Sequence, residues 1–266
     1  MSTTTAPRLA RIRIHPIKSL DAIEVTEARM GPNGGVALDR AWALFTVDGQ
    51  KVTAKRAAPI HRIRAKYAQD LSSVTLSVPG DTREIPPIEL AFPADTERAA
   101  EWFSTFFERK IMVHYSADGY PDDAEASGPT IVSTASLARI GDWFGLPIEE
   151  IRARFRATLE IDGVPAFWED QLFPAEPTGM LRFRIGEVNF EGSNPCARCP
   201  VPTRDAHSGV DDIGFSKRFV ELRQEQLPEW SATERFDHYY RLATNTRVPS
   251  TDAGKWLRAG DSLTIG

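Results

Sequence analysis

Residues 193–209 read SNPCARCPVPTRDAHSG and hold both cysteines of the chain, Cys196 and Cys199, with Arg198 between them and prolines at 195, 200 and 202. Two thiols three residues apart suit a disulfide, half of a zinc site, a redox pair, or a soft ligand for a metal carried in by an organic chelator. A structural zinc site needs four ligands, and the five histidines (His15, His61, His114, His207, His238) show no HxxxH spacing to complete one. A thioredoxin-like pair opens a helix inside a βαβ unit, and such a helix cannot run through Pro202. Burial as two small hydrophobes is the plain alternative. Against it, the prolines hold the segment extended, and Arg198 sets a cation beside the thiols that favours the metal-binding thiolate.

Size gives these cysteines no structural task. At 266 residues the chain buries a sizeable core without disulfides. With 41% hydrophobic and 26% charged residues and a formal net charge of -5, it has the composition of a globular protein and no general affinity for nucleic acid or membranes. The N-terminus carries no apolar run long enough for a signal peptide, and no later segment approaches the roughly 18 to 20 apolar residues of a membrane span. A cytoplasmic location is therefore expected, and there a CxxC pair is metal-binding or reactive rather than a permanent bridge.

Outward from the cysteines, period-two alternation dominates. Strands are expected over 8–14, 22–30, 40–54 and 73–80, with Asp48-Gly49 as a hairpin turn. The period changes at 95–110, where Ala99, Trp102, Phe103, Phe106 and Phe107 form a helical stripe that Asp95 or Thr96 can cap. Further helices fit 133–145, ending at Gly145, and 216–227. Strands return at RFRATLEID (154–162), at LRFRIGEVNFEGS (181–193) around Gly186, and at the C-terminus. The Asp-, Gly-, Ser- and Pro-rich stretch 116–130 reads as a long loop between an N-terminal domain, 1–115, and a second domain, 116–266. Regular strand-helix alternation is missing, and neither GxGxxG nor GxxxxGK[ST] occurs, which removes the common phosphate-binding loops.

With these motifs assembled, NPCARCPVPTRDAHSG is similar to the C-x-R-C-x-x-x-T-x-D-x-x-x-G signature of MOSC-domain proteins. Residues 15–59, with HPIKS, LDRAW and a hairpin followed by VTAKR, resemble the β-rich domain that precedes MOSC in the mitochondrial amidoxime-reducing components and their bacterial relatives. The resemblance covers nearly the whole chain in the same order. It implies a β-rich α+β fold, an N-terminal MOSC-type β domain packed on a C-terminal MOSC β-barrel with a few inserted helices.

It further implies a molybdenum cofactor, Mo-molybdopterin, and no pyridoxal phosphate. Cys199 would be the ligand to molybdenum and the catalytic residue, since a soft thiolate suits that metal; Cys196 would pack beside it. Lys18, Ser19 and Arg40 match residues that grip the cofactor's phosphate and pterin, as fixed cations and hydroxyl donors should. Ser127 falls on a pterin-contacting serine, Arg156 on the arginine of F-R-P-N, Arg198 near the metal, and Asn245 on a polar residue of the pocket. The chain departs from that pattern at Thr158, which stands for the asparagine of F-R-P-N, and at Lys55-Arg56, Ala126 and His207, the last of which enters the signature loop near the site.

The activity implied is oxidoreduction: a small N-hydroxylated or related N-oxygenated compound loses its oxygen, with electrons from a separate donor protein. Two other classes compete. One is a non-redox carrier of molybdenum cofactor or sulfur; the other is a cofactor-free enzyme with Cys199 or Cys196 as nucleophile and His207 as base.

Overall fold

The alternating segment at 8–14 is a strand in the computed structural model, which describes residues 6–83, 85–123 and 125–266. A bulge between Leu9 and Arg11 resets its phase, so that Leu9 and Ile12 both face the interior despite their odd spacing. The elements before residue 116 are β1 (Arg8–Ile14), β2 (Ile23–Val25), β3 (Glu27–Arg29), β4 (Trp42–Thr46), β5 (Lys51–Val52), β6 (Arg64–Tyr67), β7 (Ser73–Ser77), β8 (Ile88–Ala91), α1 (Thr96–Phe107) and β9 (Ile111–Tyr115). After it come β10 (Ile131–Ser133), α2 (Thr134–Phe144), α3 (Ile148–Phe155), β11 (Leu159–Asp162), β12 (Leu181–Ile185), β13 (Val188–Ala197), α4 (Phe215–Glu225), β14 (Arg241–Arg247), β15 (Trp256–Arg258) and β16 (Leu263–Ile265).

The fold is β-rich α+β, as the family resemblance implies, with four α-helices among the described residues, one more than the sequence pattern predicts. Its largest sheet has eight strands in the order β16-β12-β13-β14-β10-β11-β1-β2, antiparallel except for β10 beside β11. It therefore takes β1 and β2 from before residue 116 and six strands from after it. The sheet curls until Leu9 N–H reaches Asp261 O at 2.8 Å and Leu263 N–H reaches Pro7 O at 2.9 Å. An antiparallel bridge between Arg8 and Ser262 joins the two sides of this curl, though among the described residues no continuous ladder closes it as a full barrel. Two smaller sheets, β5-β4-β9 and β6-β7-β8, pack with α1 around Ile17, Trp42, Ile60 and Phe103, while β3 pairs with β15.

Local chemistry explains most element ends. Gly49 adopts φ +79° in the β4-β5 turn. Ser133 accepts the N–H of Ser136 at the start of α2, and Gly145 ends that helix at φ +64°. The exception is 148–155. The sequence predicts a strand from 154, but 154 and 155 close a helix, α3: Pro147 starts it, Glu149 and Glu150 occupy the positive end of its dipole, Arg152 and Arg154 the negative end. Ile151 and Phe155 bury its apolar face against α2 and α4. The strand begins only at Leu159, after Arg156 has turned the chain through a left-handed conformation.

Candidate functional site

The turn at Arg156 brings that residue to a cavity of about 840 Å3 between the β4 region, the loop 117–130 and the ends of β13 and β14. Lys18, Ser19, Arg40, Ser127, Arg156, Thr158, Arg198, Cys199 and Asn245 all line it, so the structure brings these nine expected residues together, while His207 does not join them. Several are held by backbone that ordinary residues rarely adopt: Ser19 lies at φ +75°, Arg40 at +54° and Arg156 at +55°. Left-handed non-glycine residues cost about 1 kcal/mol or more each, and such strain gathers at functional sites.

β1 runs into Pro16 and delivers the buried Lys18, whose Nζ donates to Tyr120 O at 2.8 Å and Asp122 Oδ1 at 2.5 Å. Burial lowers the Lys18 pKa, with Asp122 opposing the shift. Asp39 and Arg40 form the next layer. Asp39 accepts the His15 N–H at 2.8 Å and pairs with the Arg40 guanidinium; Arg40 Nη2 reaches Arg156 O at 3.4 Å. Burial alone would raise the Asp39 pKa, but Arg40 and His15 bring it down to about 2. Thr158, fully buried, sets Oγ1 3.5 Å from the same carboxylate. Ser127 donates to Asn33 O at 2.7 Å.

The Arg156 guanidinium has no ion-pair partner among the described residues. Burial, reinforced by Arg40, lowers its pKa to about 10. An uncompensated cation at a cavity wall is a site for an anion.

At the end of β13, Arg198 turns inward. It stacks 5.4 Å from the centre of the Phe155 ring, donates to Phe155 O, and places Nη1 3.3 Å from Cys196 Sγ. Its N–H donates to Tyr240 O at 3.0 Å. The cation thus serves Cys196 and the local backbone, and leaves Cys199 exposed at the cavity. Both thiols are free, and Pro202 sits in a single helical turn, Val201–Thr203. Among the described residues no three His, Cys, Asp or Glu side chains converge as metal ligands.

His207 departs from expectation. It lines a neighbouring cavity with His61, beside Arg64 and 3.9 Å from Glu150, and not the one that holds the cysteines. A short helical turn, Val201–Thr203, and three further residues carry it round the corner. A His207 base acting on either thiol therefore has no geometric support. Conversely, Asp39 and Asp122 belong to the site and were missed: Asp39 was visible beside Arg40 in LDRAW, while Asp122 lay in a stretch legible only as a loop.

Comparison with known proteins agrees with these motifs. The MOSC N-terminal beta barrel domain matches residues 6–110 and the MOSC domain residues 124–264. The mitochondrial amidoxime-reducing component 1 of Xenopus laevis is 25% identical over 246 residues, 76% of this chain and 67% of that protein. Its Homo sapiens counterpart is 25% identical over 238 residues, with 76% and 67% covered. A molybdenum cofactor sulfurase of Drosophila grimshawi is 26% identical over 225 residues, which are 73% of this chain but only 28% of the sulfurase. No helix among the described residues is long and apolar enough to cross a membrane.

Proposed function

This chain belongs to the MOSC-domain family, and from that premise we propose that it binds a molybdenum cofactor around Cys199 and reduces small N-hydroxylated or related N-oxygenated compounds. One observation carries the reading. Residues scattered from 18 to 245 meet in one cavity that presents an exposed thiol, cations and short polar side chains.

The donor set fits such a group. Cys199 offers the soft sulfur that molybdenum takes, and the volume, about 840 Å3, lies within the range of cofactor pockets. Arg156 has charge to spare for a phosphate, Lys18 can exchange the exposed Asp122 carboxylate for one, and Arg40 keeps further N–H donors. Asn245, buried in β14, adds an amide able to donate and accept. Thr158 is shorter than asparagine and is turned to Asp39, so it positions Arg40 through that carboxylate.

When bound at Cys199, the cofactor would supply two-electron, oxygen-atom-transfer chemistry. The chain's own part is to bind and orient. Asp39 fixes Arg40, and Arg198 fixes the backbone from which Cys199 projects. Because Cys199 is exposed, a small substrate reaches it without a large opening motion. The overall reaction takes two electrons and two protons, breaks the N–O bond, and releases the oxygen as water. The electrons come from a separate donor protein; neither nucleic acid nor a membrane is a partner in this reading, and a cytoplasmic location, where free thiols persist, suits it.

Molybdenum analysis and fluorescence of the oxidised pterin test the proposal, on protein made in a host that synthesises the cofactor. Wild type should carry both in near-equal amounts, and Cys199→Ser should lose at least about nine-tenths of the metal. Benzamidoxime reduction with a chemical electron donor should follow the metal. A wild type without metal and pterin would end this reading. Metal without turnover would favour a carrier of cofactor or sulfur, which the exposed thiol and the sulfurase relatives also support.

A further inference from the structure

Behind Arg156 and Ser19 lies the second cavity, of about 480 Å3, which no step above employs. Its wall joins segments far apart in the chain: Arg13 of β1, His61 and Arg64 near β6, the first turn of α3, and His207 of the signature loop. The acids of this wall are already engaged. Asp21 accepts from Arg64 at 3.1 Å and from the Ala65 N–H at 2.9 Å. Glu149 pairs with Arg152 at 2.5 Å, and Glu150 with Arg154 at 2.7 Å and the Ala206 N–H at 2.9 Å.

The cations are not balanced in the same way. Arg13 and Arg156 both line the cavity half-buried, and neither guanidinium has an ion-pair partner or side-chain hydrogen bond to an acid among the described residues. Burial lowers the pKa of both, with Glu149 and Glu160 opposing the shift at Arg13 only through space. His61 adds a buried imidazole whose Nε2 has no partner among the described residues. Half-buried guanidiniums without a direct ion-pair partner among the described residues, in a chamber large enough for a small molecule, call for an oxyanion that accepts from their forked N–H groups.

We infer that this second cavity is an accessory anion site, binding the carboxylate or phosphate group of a small molecule between Arg13 and Arg156 beside His61 and His207. Arg156 also faces the Cys199 cavity, so an anion here competes for, or shares, a cation placed above on the cofactor. Arg13 lines this cavity alone, which separates the two assignments.

The test is titration of the purified full chain with inorganic phosphate and, separately, malonate, following the ring proton resonances of His61 and His207. Saturable shifts of both rings with either probe are expected, the tighter probe identifying the headgroup. Arg13→Gln should raise Kd about tenfold or more, the loss of one charge-assisted contact, and leave molybdenum content and amidoxime reduction unchanged. Arg13→Lys, which keeps the charge but not the fork, should weaken binding severalfold and secures the test if the glutamine variant does not fold. Lys18→Gln, confined to the first cavity, should not move Kd. No saturable shift with either probe, or equal Kd in wild type and both Arg13 variants, would overturn the inference whatever the fate of the cofactor proposal.

Discussion

Arg156 concentrates the conflict between stability and function in one residue. It caps α3 in the left-handed conformation that glycine fills more cheaply, and it does so as a half-buried cation with no ion-pair partner among the described residues. Arg156→Gly should therefore stabilise the fold by about 1 kcal/mol, raising Tm by a few degrees in calorimetry, while molybdenum content falls; a variant destabilised by this change would remove the argument from strain. Asp39 is the opposite case, a residue whose loss harms both. Its carboxylate is held at about 2 against an ordinary 3.8, so the native state gains about 2 kcal/mol that is complete above roughly pH 4 and is lost as pH falls through about 2. Asp39→Asn should cost about 3 kcal/mol at pH 7 in urea unfolding, because Arg40 is left unpaired, and should flatten that acid limb. The sequence disclosed Arg40 and concealed Asp39's role for a simple reason: a motif names residue types, whereas a pairing with His15 and Thr158 exists only after folding.

At the scale of elements, the helical turn Trp168–Leu172 carries a buried acid that sets a second pH dependence. Glu169 accepts from Ser136 Oγ at 2.9 Å and from the Ser133 N–H at 3.3 Å, tying that turn to the start of α2, and its other oxygen has no partner among the described residues. Burial, with Asp170 adjacent, raises its pKa from 4.5 to about 7. An acid raised in this way favours the fold when protonated. Its contribution is full below about pH 4.5 and declines as pH rises to about 7, by about 3 kcal/mol in all. Glu169→Gln keeps the acceptor for both serines and cannot ionise, so its Tm should stay nearly level from about pH 5 to 8 where wild type declines. Equal slopes in the two proteins would mean that Glu169 is not the titrating group. Elements of this kind divide into legible and illegible by how much of their signal is local. α1 and α2 were legible because their apolar stripes lie within a dozen residues; α2 adds the Ser133 cap and the Gly145 stop, whereas α1 ends at Glu108 and the expected Asp95 cap makes no side-chain hydrogen bond to the helix. α3 was not: its eight residues carry four charges that look like strand alternation, and what decides for helix is the packing of Ile151 and Phe155 on α2 and α4.

At the scale of the molecule, order along the chain and order in space diverge, and the largest testable consequence lies there. The loop at 116–130 suggested where two halves part, yet β1 lies between β2 and β11 inside the eight-stranded sheet, and β3 pairs with β15 near the C-terminus. Leu9 and Ile12 are wholly buried in a core shared with Leu159, Ile185 and Leu263. Removing β1 exposes both, at about 2 kcal/mol for each side chain, and strands the N–H and C=O groups of β11 that it satisfies. Long-range pairing of this sort leaves little trace in the sequence, since alternation marks a strand without naming its neighbour. A chain tied together from both ends should melt as one unit. Calorimetry should give a single transition whose calorimetric and van't Hoff enthalpies agree, and the fragment 1–115 expressed alone should lack cooperative unfolding, because β1 then keeps only β2 and turns Leu9 and Ile12 toward water. Two separated transitions, or a cooperative isolated fragment, would show that the pairing of β1 with β11 contributes little and that the halves on either side of the cavity fold independently.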